Sequence, residues 1–107
     1  MVRIPTHGPP THPGEMLNEE FLKPLGITQV ELAKRIGLSF QTVNAIVNRR
    51  QGVSADVALR FERLLGMDAQ FWLNLQVGWD LYHAQHGPKA QERRRIKPIP
   101  AEEMAAR

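Results

Sequence analysis

The chain has 107 residues, the size of one ordinary domain with a modest core that dimerisation would usefully enlarge. It has no cysteine, which excludes disulfides, thiolate metal sites and a cysteine nucleophile, and it has no apolar run near the ~20 residues a membrane span needs. A net charge of +3, with 42% apolar residues, is mildly basic and consistent with a soluble, folded cytoplasmic protein.

Residues 1–12 are rich in Pro, His, Gly and Thr. They show no helical period and no apolar core for a secretory signal, and so read as a flexible arm. Pro13 opens a helix, and His12 before it helps to set the start. The apolar stripe of this helix is expected at Leu17, Phe21 and Leu25, with Pro24 and Gly26 ending it. Thr28, with Glu31 three residues on, predicts a capping box for a helix from Gln29 to Ile36. Val30, Leu32, Ala33 and Ile36 are its apolar positions, and Gly37 stops it. Ser39 caps a third helix in which Val43, Ile46 and Val47 keep the i, i+3, i+4 period; it ends near Asn48. Ser54 caps a fourth, with Val57, Ala58, Phe61, Leu64 and Leu65 as its buried stripe and Gly66 at its close. Asp68 is expected to cap a fifth helix running to about Gln85, with Phe71, Trp72, Leu75, Trp79 and Tyr82 as its large residues.

His86, Gly87 and Pro88 break that helix. Beyond them the chain is charged. Pro98 and Pro100 exclude a central strand and leave an edge strand or an extended docking segment. Residues 101–106 form a short helix or fray. The expectation is therefore an all-α, compact five-helix domain over 13–86, between the flexible arm 1–12 and a basic C-terminal tail, 87–107.

The window from Thr28 to Arg50 meets the demands of a helix-turn-helix. Ala33 is small where the second helix must cross the first. Gly37 tolerates the positive φ of the turn. Val43 and Ile46 bury one turn apart against Leu32 and Ile36. In this geometry the second helix enters the major groove of DNA. Its exposed residues suit that task. Gln and Asn can pair bidentately with adenine, and Thr, Ala and Phe can meet a thymine methyl. Phe40, Gln41, Asn44 and Ala45 are thus the base-reading candidates. Ser39 and Thr42 suit phosphate or base edges, and Gln29 sits at a helix start where a phosphate would lie. Arg49 and Arg50 can neutralise further phosphates. Asn48 serves either DNA or the helix C-terminus. Charge placement agrees. Lys34, Arg35, Arg49 and Arg50 against Glu31 leave segment 28–52 at +3, whereas 13–24 and 53–86 are each at −2.

The run TQVELAKRIGLSFQTVNAIVNRR resembles the Cro/C1-type (XRE, lambda repressor-like) helix-turn-helix. With HPGEMLNEEFLKPLGIT before it and GVSADVALRFERLLGMDAQFWLNLQVGWDLY after it, residues 12 to 82 resemble the HigA-type antitoxins. The resemblance implies a homodimer that binds operator double-stranded DNA, represses its own toxin–antitoxin operon and neutralises a cognate HigB-type toxin, a RelE-like cleaver of mRNA. It makes the helix from Ser39 to Asn48 the recognition helix. Where many members have Asn-Gly after that helix, this chain has Asn48-Arg49. A less relaxed turn and an extra phosphate contact are the expected consequences. A stand-alone XRE-type regulator and a pure protein-interaction module are the alternatives.

Other features carry less. Asp80, His83 and His86 recur at i, i+3, i+6, but three ligands at a helix end make a poor metal site, and no metal or cofactor is expected. Trp72 and Trp79, seven apart, suit either the core or a dimer seam. Arg93, Arg94 and Arg95 are solvated by default. No paired carboxylates, phosphate-cradling loop or nucleophile motif points to an enzyme.

Overall fold

The computed structural model describes residues 9–105. Among them it has seven helices and no strand: the five of the expected domain, the short helix allowed for near 101–106, and one at Ala90–Arg94 that the sequence reading lacks. The first eight residues of the expected arm lie outside the described part, but Pro10 to His12 already pack on the domain.

The first helix, α1, is α-helical over Pro13–Leu17, widens to a π-helix at Asn18–Leu22 and finishes as a short α-turn, Lys23–Leu25. In the widened turn the Lys23 N–H donates to the Asn18 carbonyl, five residues back. Pro24 follows at once. In a regular helix its ring would collide with the Glu20 carbonyl, and the extra residue per turn relieves that clash. The same insertion moves the buried side by one position. Leu22, not Phe21, follows Leu17 into the core; Phe21 is half-buried and Leu25 is 59% exposed. The expected stripe of Leu17, Phe21 and Leu25 is corrected accordingly.

Next come α2 (Gln29–Ile36), α3 (Phe40–Val47), α4 (Ala55–Leu65) and α5 (Ala69–Gln85). Thr28, Ser39 and Ser54 each accept a hydrogen bond from the N–H three residues on, which satisfies an otherwise orphaned helix donor. The capping box at α2 is half made. The Glu31 carboxylate reaches forward to Arg35, at 2.7 Å, instead of back to Thr28. Val30 is largely exposed, so α2 buries only Leu32, Ala33 and Ile36. Asp68 stands before α5 without a side-chain capping bond; Glu62 of α4 accepts from the Ala69 N–H at 3.0 Å in its place.

One core joins the five larger helices. Met16, Leu17 and Leu22 of α1 meet Leu32, Ala33 and Ile36 of α2, Val43 and Ile46 of α3, Val57, Ala58 and Phe61 of α4, and Trp72 and Leu75 of α5. Trp72 is fully buried, with the rings of Phe61, Phe21 and Phe71 at 4.9, 5.3 and 5.2 Å. Of the two tryptophans it is the core residue. The edge-on packing of Phe61 and Phe71 satisfies the ring quadrupoles, and truncating such a residue costs about 3–5 kcal/mol. Past Gly87 the packing stops. The short helices α6 (Ala90–Arg94) and α7 (Ala101–Ala105) bury nothing, and the segment between them has no regular structure and is exposed. An Arg93 guanidinium N–H donates to the Ala84 carbonyl at the end of α5. Among the described residues no helix is long and apolar enough to cross a membrane.

Candidate nucleic-acid interface

The turn between α2 and α3 is closed from both sides. Gly37 adopts the left-handed conformation, with φ 72°, which a Cβ would disfavour. The Leu38 N–H returns to the Ala33 carbonyl at 3.0 Å. From α4, Arg60 donates to the Ile36 carbonyl at 2.6 Å, and Asp56 holds the same guanidinium at 2.9 Å. Arg60 thus satisfies the exposed end of α2 and fixes the angle at which α3 departs. Ser39 starts α3 by accepting from the Thr42 N–H at 3.1 Å and donating to its hydroxyl at 2.9 Å.

The far end of α3 rests on α1. A Cβ on Gly14 would fall 1.8 Å from the Ile46 carbonyl oxygen, so only glycine permits this approach. His12 secures the approaching turn. Its Nδ1 accepts from the Gly14 N–H at 2.9 Å, and its ring meets Trp79 of α5 edge-on at 4.9 Å. Burial lowers its pKa, and the Arg49 guanidinium lowers it further; Asp80 opposes that shift. The imidazole is therefore held neutral, as an Nδ1 acceptor must be. Beyond α3 the chain turns through Arg49, which has φ 62° without being glycine. Its guanidinium is 3.7 Å from Glu15, both side chains about half exposed, a geometry that contributes little to stability. Gln76 of α5 then pins the loop by accepting from the Val53 N–H at 2.8 Å.

Between these two anchors lie the ten candidate residues. Ser39, Phe40, Gln41, Asn48, Arg49 and Arg50 are exposed; Gln29, Thr42, Asn44 and Ala45 are half-buried. Asn48 donates to the Asn44 carbonyl at 2.9 Å and so caps the end of α3. Three of the ten, from three separate segments, join through their side chains. Asn44 donates to the Gln29 carbonyl oxygen at 2.9 Å and accepts from Arg50 at 2.8 Å. Gly14, Arg60 and Gln76, which hold this surface in shape, were not singled out from the sequence. Gly14 carried a signal, as a poor helix former in the first turn of a helix. Arg60 and Gln76 act through contacts more than twenty residues away, with no local signature.

The histidine-rich end of α5 is built differently. Asp80 accepts from Gln76 at 3.0 Å, His83 packs on Trp79 at 4.2 Å, and His86 stacks on Tyr82 at 4.2 Å. Among the described residues no three such side chains converge as metal ligands would.

Two eight-residue helices crossing through a glycine turn, the second with its polar face open, define the helix-turn-helix class of DNA-binding domain. Residues 19–72 match the helix-turn-helix family. The chain is 48% identical over 77 residues to virulence-associated protein I of Dichelobacter nodosus, covering 72% of this chain and 71% of that one. It is 38% identical over 91 residues to antitoxin HigA-1 of Vibrio cholerae, covering 84% of each. The solved structure of Pseudomonas aeruginosa antitoxin HigA with the higBA promoter matches it with a TM-score of 0.80 and 40% identity, over 87% of this chain and all of that one. The chain belongs to the HigA-type antitoxins of the XRE (Cro/C1-type) helix-turn-helix family.

Proposed function

We propose that the chain is a DNA-binding antitoxin that acts by binding, not by catalysis. In this reading it binds an operator in its own promoter as a homodimer, represses the toxin–antitoxin operon and neutralises a RelE-like, HigB-type toxin in the cytoplasm. The observation that carries the DNA reading is the open edge of α3. Phe40 and Gln41 are exposed at its start, with Ala45 one turn on, and it is fixed at one end by Arg60 and at the other by Gly14. A probe of the major groove must be rigid where it reads, and both anchors supply that.

Phe40, Gln41 and Ala45 contact base edges; Ser39, Thr42 and Gln29 meet the sugar–phosphate backbone, with Arg49 and Arg50 beyond the helix end. Two such surfaces in a dimer read half-sites ~34 Å apart, one helical turn. Domain 13–86 carries this activity, and the basic tail 87–107 lies outside it.

A mobility-shift titration on the upstream promoter fragment tests the reading, run at two salt concentrations beside a scrambled fragment. Saturable binding that prefers the promoter and weakens steeply with salt is expected. Equal, weak binding to both fragments would overturn it and leave an interaction module. Co-expression with the product of a neighbouring reading frame tests the toxin partnership; absence of a stable complex would leave a stand-alone regulator.

A further inference from the structure

We infer that Asn44 is not a base reader but a positioning residue that sets Gln29 and Arg50 as a paired grip on the DNA backbone. The inference rests on the DNA-binding reading above and narrows it. Hydrogen-bond polarity fixes the orientation of both amides. A guanidinium only donates. The bond of 2.8 Å from Arg50 therefore fixes Oδ1 as the Asn44 atom facing it. The Asn44 amino group must then face Gln29, and at 2.9 Å it needs an acceptor there. That in turn places the Gln29 carbonyl inward and frees its amino group. One donor-only side chain thus orients two amides in series. The two ends of the chain are then the remaining N–H groups of Arg50 and the amino group of Gln29. Both are donors, the chemistry a phosphate requires.

The position fits the chemistry. Gln29 is the first residue of α2, where backbone N–H groups and the helix dipole also favour an anion. Arg50 lies just past α3, and the fold brings Gln29 to Asn44 although they are fifteen positions apart in the chain. The carbonyl and amino groups with which Asn44 would read adenine are both engaged within the protein, and the residue is half-buried. Bonds made before binding spare the ordering cost of two long side chains at the moment of contact. Base recognition then falls to Phe40, Gln41 and Ala45.

The test is a panel of operators, each with one base pair changed, titrated with wild type, Asn44→Ala, Arg50→Ala and the double variant. Asn44→Ala is expected to lose about tenfold in affinity, by the same factor on every operator. Its dependence on log salt should flatten by about one unit, as for a lost phosphate contact. It should add no further loss to Arg50→Ala. Relaxed preference at a single base pair, with the salt dependence unchanged, would overturn the inference and restore Asn44 as a reader. Asn44→Ser, too short to bridge, repeats the test if the alanine variant does not fold. A wild-type protein with no operator preference would instead strike the DNA-binding reading. The clamp is then judged in the free protein, where Asn44→Ala should shift the side-chain NMR signals of Gln29 and Arg50. Unshifted signals would dismiss it.

Discussion

The helices α2 and α3 have the same length and the same kind of start, but opposite exits. Each has eight residues and opens on a hydroxyl cap. Each is followed by a residue in the left-handed region, but α2 leaves through Gly37, at φ 72°, and α3 through Arg49, at φ 62°. At Gly37 the backbone is relaxed, and Arg60 satisfies the carbonyls of Ile36 and Gly37 from outside. At Arg49 a Cβ crowds its own carbonyl, a strain of ~1–2 kcal/mol. It is held by the backbone bonds from Arg49 to Ile46 and from Arg50 to Ala45, and by the close seating of α1 at Gly14. The difference teaches where the domain spends stability. The turn that sets the helix angle is free of strain. The turn that faces the proposed phosphates carries a cation in a place that glycine would fill more comfortably.

The comparison breaks most severely at Gly14. Gly14→Ala drives a methyl into the Ile46 carbonyl, where backbone on both sides cannot yield. A loss of about 3 kcal/mol or more is expected, read as a lower urea midpoint or failure to fold. Gly37→Ala imposes on the relaxed exit the strain that the other already bears. It should cost ~1–2 kcal/mol by the same measurement. Arg49→Gly reverses the sign. It should stabilise by about 1 kcal/mol, while operator affinity falls and depends less on salt. An Arg49→Gly protein that is less stable than wild type would show that the Glu15 contact outweighs backbone strain.

The gentlest probe is pH. His12 has a folded-state pKa below its ordinary value, chiefly because it is buried. Below pH ~6.5 the unfolded chain takes up a proton that the folded chain resists. The contribution of this group is therefore fully present above that pH and is lost as pH falls toward the lower folded value. Urea midpoints should drop between pH 7.5 and pH 5. His12→Asn, which keeps a capping oxygen without a titrating ring, should lessen the drop.

The same contrast between local and distant causes separates what was legible from what was not. Thr28, Ser39, Ser54, Gly37 and Gly66 act on groups within a few residues, and each stands where its sequence neighbours predict. The exposed edge of α3 was legible for the same reason. Once Val43 and Ile46 are buried, a period of 3.6 residues leaves the other side outward. Where an alternative partner was in reach, local reading failed. Glu31 turned to Arg35, Glu62 displaced Asp68 as the partner of the Ala69 N–H, and the π-turn before Pro24 exchanged Phe21 for Leu22.

The sequence by itself determined five principal helices, the hydroxyl caps of three of them and the outward face of α3, because those depend on contacts three or four residues apart. Only the tertiary structure decided which tryptophan is core, why residue 14 must be glycine, and what engages the Asn44 amide. Each of those depends on a group brought near by the fold, and hydrogen bonds and close packing act over ångströms of space, not residues of chain.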